Sequence, residues 1–130
     1  QQTRVSQGLD YYNRFIARFP TAKSIAITPE AEVFKLWEGL GYYKRCKNII
    51  TTAKYISEEL EGKFPAKYED ILKLKGIGSY TASAIASFAY NLPHAVLDGN
   101  VFRVLSRYFG IKIPVDNSQG KIFYSDLTYE

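Results

Sequence analysis

Apolar residues recur at alternating spacings of three and four along most of the chain, and this periodicity constrains the fold more than any other feature. Side chains spaced in this way lie on one face of an α-helix. Proline, glycine or asparagine separates one such segment from the next. The pattern predicts an all-α protein, and the expected helices cover Tyr12 to Phe19, Val33 to Leu40, Ile49 to Leu60, Tyr68 to Leu72, Ala82 to Ala89, Val101 to Tyr108 and, more weakly, Gln119 to Leu127.

Residues at the ends of these segments give further expectations. Thr28 precedes Pro29, and a threonine before a proline suits the cap and first turn of a helix. The segment 111–115 alternates partly like a strand, but Pro114 and the isolation of the segment favour an extended linker.

We find no tandem repeat in the sequence.

Composition narrows the class of protein. Of the 130 residues 46% are hydrophobic, which is enough to build a core, but no run of about 18 apolar residues could span a bilayer. Cys46 is the single cysteine, so an internal disulfide is excluded and a buried apolar role is expected. The net charge of +4 permits a nucleic-acid partner. We expect an intracellular protein and, because the chain contains no methionine, an internal fragment of a longer one.

Two glycines one residue apart, Gly76 and Gly78, lie between two predicted helices with Ile77 between them. Glycine lets the backbone turn tightly and approach a ligand closely, and the free amides at the start of the second helix can bind an anion. Lys73 and Lys75 add positive charge. The alternative is a simple corner between helices, with Gly76 as an ordinary C-terminal cap.

An acidic residue, Asp98, stands 20 positions after Gly78 and directly before a predicted helix. Asp98 or Asn100 could be no more than a helix N-cap. The functional alternative is an ionised carboxylate placed beside a sugar that becomes cationic during a reaction. The spacing leaves both interpretations open.

Together these segments resemble the helix-hairpin-helix DNA glycosylase superfamily. The stretch from Leu97 to Val104 is similar to its adenine DNA glycosylase branch, which removes adenine opposite 8-oxoguanine or guanine. The segments 1–3 and 36–43, with Arg45 and Asn48, agree with the same branch, and the match weakens after Gly110. The resemblance implies a six-helix barrel domain over 1–92, with the helix-hairpin-helix at about 68–90, and the truncated start of a second, cluster-bearing helical domain over 93–130.

Enzymes of this superfamily flip the target base out of the duplex and fill the gap with side chains. By resemblance, Gln2 and Tyr42 would be the wedge and stacking residues, while Thr3 and Leu40 would lie near the oxidised guanine. An aromatic core residue is the alternative for Tyr42. The remaining residues expected to contact DNA are Gly41 in the same segment and Gly76, Ile77, Gly78 and Ser79 in the hairpin.

The resemblance also assigns the chemistry. Asp98 would stabilise the oxocarbenium-like sugar or bond to it, and Asn100 would orient the site. Tyr80 stands where relatives that also cut the backbone carry a lysine that forms a Schiff base, so a glycosylase without lyase activity is expected. The family's second carboxylate is a glutamate upstream of the segment 1–3, and without it the fragment itself is expected to be inactive.

Cofactor and partners follow from the same resemblance. A four-iron four-sulfur cluster would have its cysteine ligands beyond Glu130, and no metal ligand is expected within this chain, since Cys46 falls outside the pattern. His94 is assigned a surface or packing role. The expected partner is double-stranded DNA with adenine opposite 8-oxoguanine or guanine, bound by a monomer in the bacterial cytoplasm, associated with the nucleoid and not with a membrane.

Three rival interpretations remain. An endonuclease III type glycosylase/lyase is disfavoured by Tyr80 and by the segment 97–100. A non-catalytic helix-hairpin-helix DNA-binding module is disfavoured by Asp98, because a pure binder gains nothing from an anion near phosphates. A helical scaffold without a nucleic-acid partner would be excluded if the protein bound duplex DNA and this binding weakened steeply with added salt.

Overall fold

The computed structural model describes residues 5–128, with the side chain of Gln7 excepted. Within that range the chain forms eight α-helices and no strand, so the predicted all-α class is confirmed. The helices are α1 Val5–Arg18, α2 Ala22–Ala26, α3 Glu30–Trp37, α4 Tyr43–Glu59, α5 Tyr68–Leu72, α6 Ser79–Tyr90, α7 Gly99–Phe109 and α8 Ser118–Leu127.

The helices group into two compact units. Unit 1 runs to Pro65 and also includes Leu74–Gly76, and unit 2 comprises Ala66–Lys73 and the residues from Ile77 onward. The domain boundary near residue 92 that the resemblance implies stays a prediction. Each unit is described by itself below.

Unit 1 has its core where α4 packs against α2 and α3. The buried side chains of this core are Phe19, Ile25, Val33, Cys46, Ile50 and Ala53. Phe15 packs edge-on against both Phe19 and Trp37, with ring centroids 5.1 and 5.9 Å apart. Burying a large apolar side chain contributes about 1.5 to 3 kcal/mol, so this cluster is the main stabilising feature of the unit.

The helix α2 was not predicted, because five residues are too few to show a period. A reciprocal capping box defines its start, in which Thr21 and Ser24 each bond the other's backbone amide. The predicted cap at Thr28 is wrong. The Thr28 hydroxyl instead donates to the carbonyl of Ser24, 2.7 Å away, where it satisfies an acceptor left free at the end of α2, and Pro29 precedes α3 without a side-chain cap.

Unit 2 contains α5 to α8. Ile71 of α5 and two alanines of α6, Ala82 and Ala86, form its first cluster of buried side chains. Tyr124 of α8 is fully buried, and its hydroxyl shares a hydrogen bond with that of Ser106 on α7. The segment 111–115 contains no strand, in agreement with the predicted linker, and the weak helix predicted near the C-terminus is confirmed as α8.

Two side-chain roles expected from the sequence are also confirmed. Cys46 is completely buried, and its burial, together with the charge of Glu30, raises the pKa of its thiol. His94 packs by stacking on Tyr68, with ring centroids 4.4 Å apart. Over the range that the structure describes, no helix is long and apolar enough to cross a membrane.

Candidate nucleic-acid interface

The loop between α3 and α4, residues 38–42, has an unusual backbone. Gly39 and Gly41 have φ angles of +88° and +78°, which glycine adopts without strain. Tyr42 also lies in the left-handed region, at φ 50°, which is uncommon for a residue with a side chain. Strain of this kind persists only where surrounding contacts enforce it, and it is frequent at functional sites.

Tyr42 projects from this loop at the N-terminus of α4. Its side chain is 53% exposed, and the guanidinium of Arg45 lies 4.9 Å from the centre of its ring. Tyr42 is therefore not a core residue of unit 1, which was the alternative role expected for it. An exposed ring held by a cation on its own helix is suited to stacking on another planar group.

Leu40, Gly41 and Tyr42 also line a cavity of about 420 Å³ in unit 1. The rest of its wall is mostly apolar and consists of Gly8, Tyr11, Tyr12, Phe15, Ile16, Leu36, Trp37, Arg45 and Ile49. The three loop residues singled out from the sequence are thus brought together at one cavity.

Two aromatic side chains hold the loop 38–42 in place. The Tyr11 hydroxyl donates to the carbonyl of Glu38 over 3.0 Å, and the Trp37 indole N–H donates to the carbonyl of Gly41 over 2.8 Å. Sequence reasoning missed both. Trp37 lies within the segment that carries the resemblance, but Tyr11 is one of 11 tyrosines and no pattern distinguishes it.

The hairpin loop, residues 73–78, joins α5 to α6. Gly76 has φ +82° and requires glycine, but it is not a helix cap, because α5 ends at Leu72 with Lys73 as its cap. Gly78 is extended, at φ −98°, and a Cβ added there would meet nothing within 4 Å. The second glycine therefore leaves open space and is not needed for the turn.

The start of α6 offers backbone amides to a ligand. Gly78 precedes Ser79 as the N-cap, and no side chain caps this end of the helix. The first-turn amides of a helix have no acceptor within the helix, and the helix dipole favours an anion near them. Tyr80 lies in the same turn, with its side chain 37% exposed.

Within unit 1 the hairpin glycine packs directly on α4. A Cβ added to Gly76 would lie 2.2 Å from the Asn48 Nδ2 atom and 2.7 Å from the Asn48 Cβ atom. The Thr52 hydroxyl donates to the carbonyl of Lys75 over 3.2 Å, and Leu74 is buried. These contacts fix the path of the backbone at Leu74–Gly76.

The two hairpin lysines differ. Lys73 forms an ion pair with Asp70 at 2.8 Å, which lowers the pKa of the Asp70 carboxyl through the hydrogen bond and the charge of Lys73. Lys75 is exposed. An exposed lysine beside a turn suits a phosphate contact, since phosphates are bound largely by Lys and Arg.

Asp98 is the N-cap of α7, as one interpretation of the sequence predicted. Its Oδ1 atom accepts hydrogen bonds from the backbone amides of Asn100 and Val101, at 2.8 and 2.9 Å. The side chain is half-buried, and Oδ2 makes no hydrogen bond to any part of the chain that the structure describes. The hydrogen bonds to Oδ1 therefore fix the orientation of the carboxylate. Asn100 contributes its amide to the cap and is exposed.

The candidate residues fall into both units. Leu40, Gly41, Tyr42 and Gly76 belong to unit 1; Ile77, Gly78, Ser79, Tyr80, Asp98 and Asn100 belong to unit 2. Gln2 and Thr3 lie outside the described residues.

The resemblance places the cysteine ligands of the four-iron four-sulfur cluster beyond Glu130, so a ligand set for it is not expected within residues 5–128. Cys46 is buried in the core of unit 1, and between residues 5 and 128 no group of three or more His, Cys, Asp or Glu side chains could hold a metal ion. Residues 5–128 therefore provide no set of ligands for the cluster.

The sequence is similar to those of adenine DNA glycosylases from bacteria and animals. Adenine DNA glycosylase of Buchnera aphidicola subsp. Baizongia pistaciae is 48% identical over 113 residues, which cover 87% of this chain and 32% of that protein. The human adenine DNA glycosylase is 43% identical over 108 residues, covering 82% of this chain and 20% of its own length. The chain thus spans a third or less of the length of these curated relatives.

Solved structures share the fold. A thermostable thymine-DNA glycosylase has a TM-score of 0.85 at 24% identity, over 99% of this chain and 59% of that one. An endonuclease III in a non-covalent DNA complex has a TM-score of 0.77 at 22% identity, over 93% of this chain and 56% of its own. The sequence profile of the HhH-GPD superfamily base excision DNA repair proteins matches residues 1–120. Because the profile matches nearly the whole chain and the solved structures share its fold, the chain belongs to the HhH-GPD superfamily of base excision DNA repair proteins.

Proposed function

We propose that the protein is an adenine DNA glycosylase, which hydrolyses the N-glycosidic bond of adenine mispaired with 8-oxoguanine or guanine in duplex DNA. The geometry of Asp98 carries the proposal. Its Oδ1 atom is held by two backbone amides, while Oδ2 has no partner in the described part of unit 2. A carboxylate oriented in advance stabilises a developing positive charge without having to reorganise during the reaction.

In the proposed reaction the bond between the sugar and adenine breaks and positive charge develops on the sugar ring. Adenine leaves with the bonding electron pair and takes up a proton, while the Asp98 carboxylate faces the positive charge or bonds to the sugar carbon. Water then adds to that carbon and releases a proton, which completes the hydrolysis. Asn100 is proposed to orient this site. The similarity to adenine DNA glycosylases, at 48% and 43% identity, supports adenine as the released base.

The proposed contacts with DNA use two segments. Amides at the start of α6, beside Gly78 and Ser79, would bind a backbone phosphate, because that helix end has no side-chain cap. Leu40, Gly41 and Tyr42 would contact the mispair, with the exposed Tyr42 ring stacked against the bases. Gln2 and Thr3 remain assigned to this contact by resemblance alone.

We propose that the enzyme does not cleave the strand, because Tyr80 has no amine with which to form a Schiff base. Borohydride reduction of a mixture with mispaired duplex should then trap no abundant covalent adduct. An abundant adduct that persists in Lys75→Ala would contradict the proposal and favour a lyase.

The decisive experiment replaces Asp98 in the full-length protein by asparagine. Asparagine caps helices about as well as aspartate, so Asp98→Asn should keep α7 intact while removing the charge. Release of adenine in single-turnover assays should be lost, while affinity for the mispaired duplex survives. The matched control is Asp116→Asn, an exposed residue of the linker before α8, which should release adenine normally. Loss of binding in step with catalysis would refute the role of Asp98 in chemistry.

A second variant tests the hairpin. Gly78→Leu should fold, because its φ suits any residue and a Cβ there meets nothing within 4 Å. The added side chain would occupy the open space before α6 and should weaken binding to all duplexes alike, since phosphate contacts carry no sequence information. A loss confined to certain sequences would contradict phosphate binding.

The proposal extends to the setting of the enzyme. We propose that it acts as a monomer on chromosomal DNA in the bacterial cytoplasm, and bacterial relatives such as the Buchnera enzyme support that setting. If binding to duplex DNA did not fall steeply with added salt, a scaffold without a nucleic-acid partner would be favoured instead.

A further inference from the structure

The loop 38–42 is defined by very few contacts of its own backbone. Three of its five residues have positive φ. The amides of Glu38 and Leu40 donate back to α3, at 3.4 and 3.1 Å, and the Tyr42 carbonyl accepts from the Arg45 amide in α4, at 2.8 Å, so none of these backbone hydrogen bonds joins two residues of the loop. A segment with so little internal bonding adopts one conformation only if neighbouring groups impose it.

Two side-chain donors provide that restraint, one at each end of the loop. The Tyr11 hydroxyl, on α1, bonds the carbonyl of Glu38, the first residue of the loop. The Trp37 indole N–H, at the end of α3, bonds the carbonyl of Gly41, next to Tyr42. We call this pair of hydrogen bonds the loop clamp.

The surrounding packing shows that the clamp is built tightly. A Cβ on Gly39 would lie 2.5 Å from the Tyr11 hydroxyl oxygen, so the Tyr11 side chain would have to shift if residue 39 were larger than glycine. The Trp37 ring is in turn held edge-on by Phe15. Both donors stand in the wall of the same cavity as Leu40, Gly41 and Tyr42.

We propose that Tyr11 and Trp37 are positioning residues that preset Tyr42 in the strained backbone conformation needed to stack into a mispaired duplex. The inference rests on the proposed function, in which Tyr42 contacts the mispair. Without the clamp, the loop would have to be ordered at the moment of binding, and that ordering opposes affinity. The loss would appear only where Tyr42 is used, in discrimination between mispaired and matched duplexes.

The test uses Tyr11→Phe and Trp37→Phe in the full-length protein, since each keeps an aromatic ring and removes one donor. One net hydrogen bond corresponds to roughly a threefold to tenfold change in an equilibrium constant. The ratio of affinities for mispaired over matched duplex should fall by about that factor in each variant, with matched-duplex affinity unchanged. A 2-aminopurine placed beside the mispair should also show weaker quenching, because stacking by Tyr42 is less complete.

Controls separate this proposal from general damage. Tyr55→Phe removes a hydroxyl on the exposed side of α4 that has no hydrogen bond within the described chain, and it should leave the affinity ratio unchanged. In a Tyr42→Ala background, Tyr11→Phe should cause no further loss, because the clamp acts through Tyr42.

The outcomes are distinct. Wild-type discrimination in Tyr11→Phe and Trp37→Phe would overturn the clamp, as would losses that simply add to that of Tyr42→Ala, or a parallel fall in matched-duplex affinity. Failure of the proposed function would appear differently, as a wild-type protein that does not distinguish mispaired from matched DNA.

Discussion

Replacing Gly76 by alanine should destabilise the protein through two effects that the structure separates. The backbone at Gly76 has φ +82°, a region that costs a residue with a Cβ about 1 to 2 kcal/mol. The new Cβ would also lie 2.2 Å from Nδ2, 2.6 Å from Cγ and 2.7 Å from Cβ of Asn48. Overpacking of this kind typically costs a further 1 to 3 kcal/mol or so.

The clash is not one that a rotation can relieve. A long flexible side chain could swing away, but the Asn48 Cβ atom is fixed by the backbone of α4, so the hairpin must move away from the helix. We therefore expect a total loss of about 2 to 5 kcal/mol in the free energy of unfolding.

Two glycines act as matched controls. Gly62 has φ +76° with nothing within 4 Å of an added Cβ, so Gly62→Ala measures the backbone cost alone. Gly78 has neither a positive φ nor a close neighbour, so Gly78→Ala should be near neutral. Urea denaturation of the three variants gives the comparison. If Gly76→Ala destabilised the protein no more than Gly62→Ala, the contact with Asn48 would not be rigid and this reasoning would be refuted.

Three further predictions concern single side chains. Because burial raises the pKa of Cys46, little of its thiol is ionised, and alkylation by iodoacetamide at pH 8 should be slow until denaturant is added. Rapid labelling of the folded protein, measured by mass spectrometry, would contradict this prediction. Because Lys73 lowers the pKa of Asp70, Lys73→Ala should raise that pKa. The exposed ion pair favours the folded state at neutral pH and ceases to do so as the pH falls through the Asp70 pKa. An NMR titration of Asp70 that the substitution leaves unchanged would contradict the assignment. Tyr124→Phe should cost about 1 to 2 kcal/mol in thermal unfolding by removing the buried bond to Ser106, and an unchanged Tm would count against that bond.

The all-α class could be predicted from the sequence because glycine and proline residues divide the chain clearly into amphipathic segments. Long amphipathic segments such as α4 reveal a helical period, and Gly110 ends α7 in the left-handed conformation typical of a C-terminal glycine. The short helix α2 could not be predicted in this way. The cap predicted at Thr28 was wrong for a related reason. A hydroxyl between two helices can hydrogen-bond to the end of the first helix or to the start of the second, and its position in the sequence does not say which.

The candidate site was predictable in its residue types but not in its supports. Asp98 preceded a helix in the sequence, and the cap that it forms follows from that position. The contacts of Tyr11 with Glu38 and of Asn48 with Gly76 join residues 27 and 28 positions apart, and a sequence pattern contains no information on such pairs. Asn48 was noticed only because the resemblance includes it.

Within unit 1, α4 supports both of the segments proposed to touch DNA. Tyr42 stands at its N-cap, and Asn48 and Thr52, farther along, contact the backbone at Lys75 and Gly76. Asn48 lies six positions after Tyr42, a rise of about 9 Å along the helix, and a helix buried along Cys46, Ile50 and Ala53 resists changes in that length. The strained tyrosine and the hairpin backbone are therefore held at a set spacing by one rigid element. This arrangement explains why Tyr42 keeps a conformation that is costly in isolation, at φ 50°: the packed helix that begins beside it also holds the hairpin backbone at Gly76, where glycine adopts φ +82° without strain.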